Sequence, residues 1–335
     1  MDTREQQLKS WLKESCQLPS SELEPLIADA SFRRYFRVNE GNQSFVAMDA
    51  PPAKEPSTPQ FVAITDALRA RDLQTPEVIA KDLQQGFLLL TDFGNRLYLK
   101  ELQTRNAKAL YEVALSALSV LQACREVKDY SLPSFTAEFM HKELLLFKEW
   151  FLLGYLKLSL TAQQDNMLED FFYCLAESAA LQPQVFMHRD YHSANLLVLP
   201  ESQVGILDFQ DAFMGPVTYD LVSLLRDCYI AWPENFVRRM ALRYKGLLPE
   251  LKSVTKEEFM RWFDIMGMQR HLKSLLTFSR KFLRDENPNY LQHMPRTLKY
   301  ITAAAPLYPE SRAFNLFLLA TILPAFEKVS TQCAQ

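Results

Sequence analysis

The chain has 335 residues, of which 48% are apolar and 23% charged, and a formal net charge of −3. That length exceeds one small core and calls for two lobes, and the composition excludes a disordered chain. The slight acidity argues against a nucleic-acid binder, which carries a basic excess. Eight glycines leave little material for a multi-glycine phosphate loop, and five isolated cysteines without a CxxC pair support neither a zinc ribbon nor a disulfide framework.

The opening MDTREQQLKSWLKESC carries acids throughout and lacks the apolar run of a secretion signal. The most apolar long stretch, residues 313–326, is too short to span a bilayer, so a soluble cytoplasmic protein with reduced thiols and no membrane contact is expected. Residues 4–15 have helical spacing through Leu8, Trp11 and Leu12. Short β-rich runs follow at 31–38, 44–48, 77–80 and 86–91. Between the second and third lies the Pro-rich loop PPAKEPSTP. It leads into a helix from Pro59 to about Ala70, with Thr58 as its cap.

Past Gly94 the character changes to long helical patterns over 96–125, 135–160 and 162–180. A β interlude then covers 185–187, 196–199 and 204–207, the last two joined by PESQ as a hairpin, and helices resume to the end. A β-rich lobe followed by a helical lobe with an embedded hairpin predicts an α+β, two-lobed, protein-kinase-like fold. The expected division is an N-lobe at 1–94, with the nucleotide-binding sheet and a hinge at 90–95. The helical C-lobe at 95–335 would hold the catalytic loop, the metal site and the region that binds the acceptor.

The interlude reads FMHRDYHSANLLVLPESQVGILDFQD, with His188, Asp190 and Asn195 in an H-x-D-x-x-x-x-N pattern and Asp208 at the end of the next strand. Phosphoryl transfer needs these types in this arrangement. One carboxylate, Asp190, orients the acceptor hydroxyl, while an amide oxygen and a second carboxylate, Asn195 and Asp208, hold Mg²⁺ against the phosphates of ATP. The letters Asp92-Phe93-Gly94 match the metal strand of protein kinases but stand ahead of any such loop.

This stretch, with its continuation DAFMGPVTYDLVSLLRD, resembles the aminoglycoside phosphotransferase-like family of kinases. Within that family, DASFRRYFRV, AMDAPP, HRDYHSANLLV and GMQRHLKSL are most similar to the bacterial anomeric (C1) kinases of N-acetylmuramate and N-acetylglucosamine in cell-wall recycling. The resemblance implies ATP-dependent phosphorylation of an amino sugar. It makes residues 92–94 the hinge, where main-chain groups of Leu90 to Asp92 would meet the adenine. It also gives Asp220, in Tyr-Asp-Leu, the task of holding the catalytic loop from below.

Two departures from the wider kinase pattern matter. Met48 stands where V-A-I-K would place the ATP-pairing lysine, and the helix QFVAITDALRARD offers no glutamate for it. Both halves of that ion pair are expected to be missing together, since losing one alone would strand a charge in a low-dielectric cleft. The turn at 29–36 replaces the glycine loop. Ser31 and Phe32 there are candidates to cradle phosphate, and Arg33 and Arg34 to supply the positive charge or else to form a solvated basic hairpin.

His188 and His192 are spaced like H-E-x-x-H ligands but lie in a loop, so zinc is not expected. His188 reads as structural support, and His192 as facing substrate. Asp211 is placed near metal, sugar or neither. Arg270, Lys273, Ser274, Thr277, Lys281 and Arg284 share one helical face. That face reads as a solvated stripe, or its start, Arg270 and His271, as meeting an anionic substrate. Two other readings stay open: a small-molecule hydroxyl kinase of aminoglycoside or choline type, and a pseudokinase module.

Overall fold

The computed structural model describes residues 3–19, 22–26 and 32–333, except the side chains of Gln332 and Cys333. Its contacts divide into two compact units. The first comprises residues 1–132 with 195–212, and the second comprises 133–194 with 213–335.

The first unit is built on a five-stranded sheet of β1 (Glu24–Leu26), β2 (Arg34–Glu40), β3 (Gln43–Asp49), β4 (Val78–Asp82) and β5 (Phe87–Thr91), in the order β1-β2-β3-β5-β4. All neighbours are antiparallel, and β2 and β3 set Tyr35 opposite Met48 and Arg34 opposite Asp49. Helix α1 (Thr3–Ser15) lays Leu8, Trp11 and Leu12 on Phe36, Val38, Ala47, Phe87 and Leu89, which closes one face of the sheet over a dry core. Gly86, at φ +75°, makes the β4–β5 turn against the carbonyl of Ala50, where a Cβ would meet the oxygen at 1.9 Å. Helix α2 (Thr58–Arg69) takes Pro59 in its first turn as expected, but its cap is Ser57, whose side chain makes no capping bond, and not Thr58, whose hydroxyl bonds the Glu55 carbonyl.

This unit extends past the boundary expected at Gly94. Helices α3 (Tyr98–Glu101) and α4 (Ala107–Gln122) belong to it, as does the hairpin that carries Asn195 and Asp208 at its base. The physical reason is hydrogen bonding. In the chain order, β6 belongs to the second unit, and the hairpin is β7 (Leu196–Val198) and β8 (Val204–Ile206). The Val198 N–H donates to the Arg96 carbonyl and the Ile206 N–H to that of Gln74, both at 2.8 Å, so the hairpin is tied to the chain on either side of the sheet. Phe93 packs on Gly205, and Phe61 of α2 stacks on Phe209 at 5.0 Å.

In the second unit, β6 (Gln184–Met187) pairs with β9 (Phe213–Pro216), a short strand absent from the sequence expectation. Helix α5 (Ala137–Phe147) runs on in wider π turns over Lys148–Tyr155 and is followed by α6 (Ala162–Ala180), α7 (Tyr219–Leu225) and α8 (Glu234–Leu247). Thr161 and Gln164 close a reciprocal capping box at the start of α6. At the centre is α9 (Lys256–Asp285), whose middle is buried on all sides. Helices α10 (Met294–Ala304), α11 (Arg312–Phe317) and α12 (Leu323–Cys333) complete the unit.

The C-terminal helical run Pro309–Thr331 corrects one expectation. It is 23 residues long and holds a window of mean hydropathy 1.3, which by length and composition alone is enough to cross a membrane, a test that core helices also pass. The difference arises because helix continues to both sides of the mostly apolar stretch at 313–326.

Candidate active site

Each unit carries its own group of candidate residues, and each group has its own chemistry. In the first, the β7–β8 hairpin brings Asn195 and Asp208 together. The Leu207 N–H donates to the Asn195 carbonyl at 3.0 Å, and Asn195 Nδ2 donates to Asp208 Oδ2 at 3.2 Å. Gln210 Nε2 donates to Asp208 Oδ1 at 2.7 Å. Buried Gln210 thus braces the carboxylate where the kinase triplet has glycine, a role not expected from the sequence. Asp208 itself sits at φ +64°, a left-handed conformation rare outside glycine and held here by its neighbours.

A carboxylate beside an amide offers hard oxygen donors, which fit Mg²⁺ and not a soft metal. Among the described residues no group of three or more His, Cys, Asp or Glu is placed to hold a metal. Asp211 is exposed, 3.5 Å from Gln210 Nε2, and its charge helps raise the pKa of the Tyr130 phenol after burial.

Ser31 lies outside the described residues. Phe32 is exposed, its ring 5.1 Å from the Lys54 ammonium, and its N–H donates to Glu55 Oε1 at 3.0 Å. The two arginines diverge. Arg34 Nη2 is committed to the fully buried Asp49 at 2.5 Å, which also pairs with Arg4. Arg33 is buried instead, its Nη2 3.3 Å from Glu55 Oε2 and 2.6 Å from Ser57 Oγ. Burial pushes the Tyr35 phenol up to about 12, and Arg33, Asp208 and Glu55 all act on it.

Leu90 and Asp92, expected at a hinge, lie within the first unit. Leu90 is inside β5, paired with Val46 and Val78. The Asp92 carboxylate accepts from Arg37 Nε at 2.5 Å, Ser44 Oγ at 2.6 Å and the Gly94 N–H at 2.8 Å. Burial raises its pKa, but these donors outweigh burial and leave it below the usual carboxylate value.

In the second unit, the loop after β6 is held at both ends by buried aspartates. Asp220, in the first turn of α7, accepts from the His188 N–H at 2.7 Å and the Arg189 N–H at 2.9 Å. Burial lifts its pKa to about 7 against those two donors. Asp227 accepts from the Ser193 N–H at 2.9 Å and the Ser193 hydroxyl at 2.5 Å. His188 is fully buried, and its Nδ1 accepts from the Asp190 N–H at 3.3 Å, which makes it a support of the loop. Arg189, at φ +75°, pairs with Glu143 at 2.5 Å.

Asp190 keeps 35% of its side-chain surface accessible and receives Lys273 Nζ at 3.4 Å. Burial of its surroundings raises its pKa, but Lys273, His192, Arg270 and Arg189 more than offset this and hold it well below the usual range. Lys273 keeps its proton because Asp190 and Tyr219 outweigh its own desolvation. The expected solvated stripe on α9 is therefore overturned along its first half. Arg270 and Ser274 are buried and Lys273 faces Asp190, whereas Arg284 at the far end is exposed.

Arg270 bonds Ser223 and reaches Cys228 Sγ at 3.7 Å. His271, expected to meet an anionic substrate, is buried. Its Nε2 is 2.9 Å from the Arg226 carbonyl, its ring stacks on Tyr300 at 4.8 Å, and burial lowers its pKa to about 3. His192 packs edge-on to Tyr229 at 5.2 Å. Its Nδ1 and the Tyr219 hydroxyl are buried with no hydrogen-bond partner among the described residues. Orphaned atoms of this kind mark where a ligand or water supplies the partner.

A family model described as "Phosphotransferase enzyme family" matches residues 22–255. The N-acetylmuramate/N-acetylglucosamine kinase of Pseudomonas aeruginosa is 40% identical over 327 residues, covering 92% of this chain and 94% of its own. The protein of the same name from Neisseria meningitidis is 36% identical over 321 residues, covering 92% of each. Among solved structures, the ADP-bound aminoglycoside phosphotransferase APH(2'')-Ib superposes with a TM-score of 0.61 at 16% identity over 90% of this chain and 98% of its own. Choline kinase LicA from Streptococcus pneumoniae does so at 0.59 and 13% identity, over 90% and 100%. These two show the kinase-like fold. With a family model over most of its length and relatives of such identity along nearly the whole of both chains, this chain belongs to the phosphotransferase enzyme family, as an ATP-dependent kinase of a small-molecule hydroxyl.

Proposed function

We propose that the protein phosphorylates the anomeric hydroxyl of N-acetylmuramate and N-acetylglucosamine, in the cytoplasm, with ATP as donor. The observation that carries the sugar assignment is the 40% identity, over nearly the full chain, to a kinase named for those two sugars. Asp190 orients the acceptor hydroxyl and takes its proton as the phosphoryl group departs. Asn195 and Asp208 hold Mg²⁺, with Gln210 keeping the Asp208 carboxylate in place. When bound, the cation neutralises the charge that spreads over the phosphates.

The electrostatics around Asp190 favour an anomeric acceptor. A carboxylate held as a weak base by Lys273 suits a hydroxyl more acidic than an ordinary sugar alcohol. The same cations, Lys273, Arg270 and Arg189, disfavour a polycationic acceptor such as an aminoglycoside and suit one bearing a carboxylate.

The test pairs a substrate panel with one variant. The wild type should consume ATP with the two amino sugars and not with choline or an aminoglycoside, and phosphorus NMR should place the product phosphate at C1. Asp190→Asn should lower kcat by about 10²- to 10⁴-fold while nucleotide still binds. A product phosphorylated at C6 would sink the anomeric assignment, and turnover of choline alone would sink the sugar.

A further inference from the structure

The first unit pairs Arg33 of the turn with Glu55 of the Pro-rich loop. A kinase of this architecture needs a fixed cation on the nucleotide phosphates and an acid that holds that cation in place. Met48 cannot be the cation, and it is fully buried opposite Tyr35. Arginines of α1 and β2 are committed to structural acids. Arg4 and Arg34 share Asp49, and Arg37 bonds Asp92 and Asn95.

Arg33 differs in both burial and partner. Its guanidinium is 5% exposed, and its Nη2 meets Glu55 and Ser57. Glu55 uses its other oxygen to accept the Phe32 N–H, so one carboxylate fixes both the backbone of the turn and its cation. Tyr35 connects this pair to the metal strand. Its phenol is close enough for the charges of Arg33, Asp208 and Glu55 all to act on it. Arg33 and the metal carboxylate therefore act on the same tyrosine, directly across the β2–β3 ladder from the vacant lysine position.

We propose that Arg33, held by Glu55, is the nucleotide-phosphate cation of this enzyme, a pair rebuilt from the β1–β2 turn and the Pro-rich loop in place of the strand lysine and helix glutamate. The guanidinium suits the task, because it stays charged when buried and its planar fork matches phosphate oxygens. Glu55 keeps it from being stranded in a low-dielectric site, the role the missing helix glutamate would have had. The proposal rests on ATP as donor and not on the identity of the sugar.

Calorimetry without sugar, in the presence of Mg²⁺, tests it through the affinities for ADP and adenosine, with melting temperature followed alongside. Arg33→Gln should weaken ADP by about 10- to 100-fold and leave adenosine unchanged. Arg33→Lys, which keeps the charge and much of the packing, should recover part of the loss, and Glu55→Gln should weaken ADP without touching adenosine. ADP and adenosine weakening together in Arg33→Lys would show a merely structural turn and overturn the proposal, as would unchanged ADP affinity in Arg33→Gln. Wild-type protein that binds neither ligand would overturn the donor assignment, and this proposal with it.

Discussion

The hairpin that carries Asn195 and Asp208 and the loop that carries Asp190 are consecutive in the chain but built by opposite means. The hairpin is a local device. Its metal-site candidates are linked to each other and to Gln210 by side-chain bonds spanning at most 13 residues. The loop is a non-local device, in which Asp220, Asp227 and Lys273 reach back over 32, 34 and 83 residues to hold His188, Ser193 and Asp190. Its charges are desolvated, so each depends on the others, whereas the hairpin's geometry follows from a short ladder. Function in the loop should therefore be sensitive to single distant changes that leave the hairpin untouched.

Lys273→Met is the change that would break this contrast most sharply. With Lys273 present, Asp190 stays ionised through the ordinary carboxylate range, so the acid limb of kcat/KM contributed by Asp190 should lie below it. Without it, burial is left less opposed, and the pKa of Asp190 rises. Each unit by which it exceeds the assay pH removes about tenfold of the ionised form. The loss should be larger at pH 5.5 than at pH 8, and Lys273→Arg should restore most of it. A loss independent of pH would mean that Lys273 acts on substrate or packing and not through Asp190.

The same contrast decides what could be read from the amino acids alone. Asp190, Asn195 and Asp208 stood out because spacing within one hairpin is a local signal, and the sheet strands β2 to β5 were legible from their alternation and turn residues. Strands β1 and β9 were not, because three or four residues carry no period. Lys273 was misjudged as part of a solvated stripe. The signal that corrects it is that α9 has apolar residues around its whole circumference, among them Phe263, Met266, Leu272 and Leu276, so a charge within it must be buried and paired. Glu55 was invisible as a partner because it lies in a Pro-rich loop, where no periodicity points it anywhere.

A smaller effect is expected where the hairpin meets residues 92–94. A Cβ on Gly205 would stand 2.8 Å from Phe93 Cδ2 and 3.3 Å from Leu199 Cδ1. Gly205→Ala should therefore cost about 1–3 kcal/mol in urea unfolding, the usual penalty for overpacking. Adding Phe93→Leu should return part of it. If the single variant is as stable as the wild type, Phe93 is not the wedge that seats β8.

The smallest effect concerns Asp92, where a structural acid can be told from a nucleotide ligand by its pH dependence. Donors from Arg37, Ser44 and Gly94 hold its folded-state pKa below the unfolded value. A depressed carboxylate contributes stability that is present above its unfolded pKa, near 4, and is lost as pH falls through the folded value. Asp92→Asn should thus be less stable by about 1–2 kcal/mol at pH 7, with the gap to the wild type closing toward pH 3. Adenosine affinity should stay unchanged, because the carboxylate is occupied by β2, β3 and its own turn. A gap that persists undiminished into acid would place the cost in the shape of the turn and not in the charge. Lost adenosine affinity at pH 7 would mean instead that the side chain, and not only the backbone beside it, serves the nucleotide.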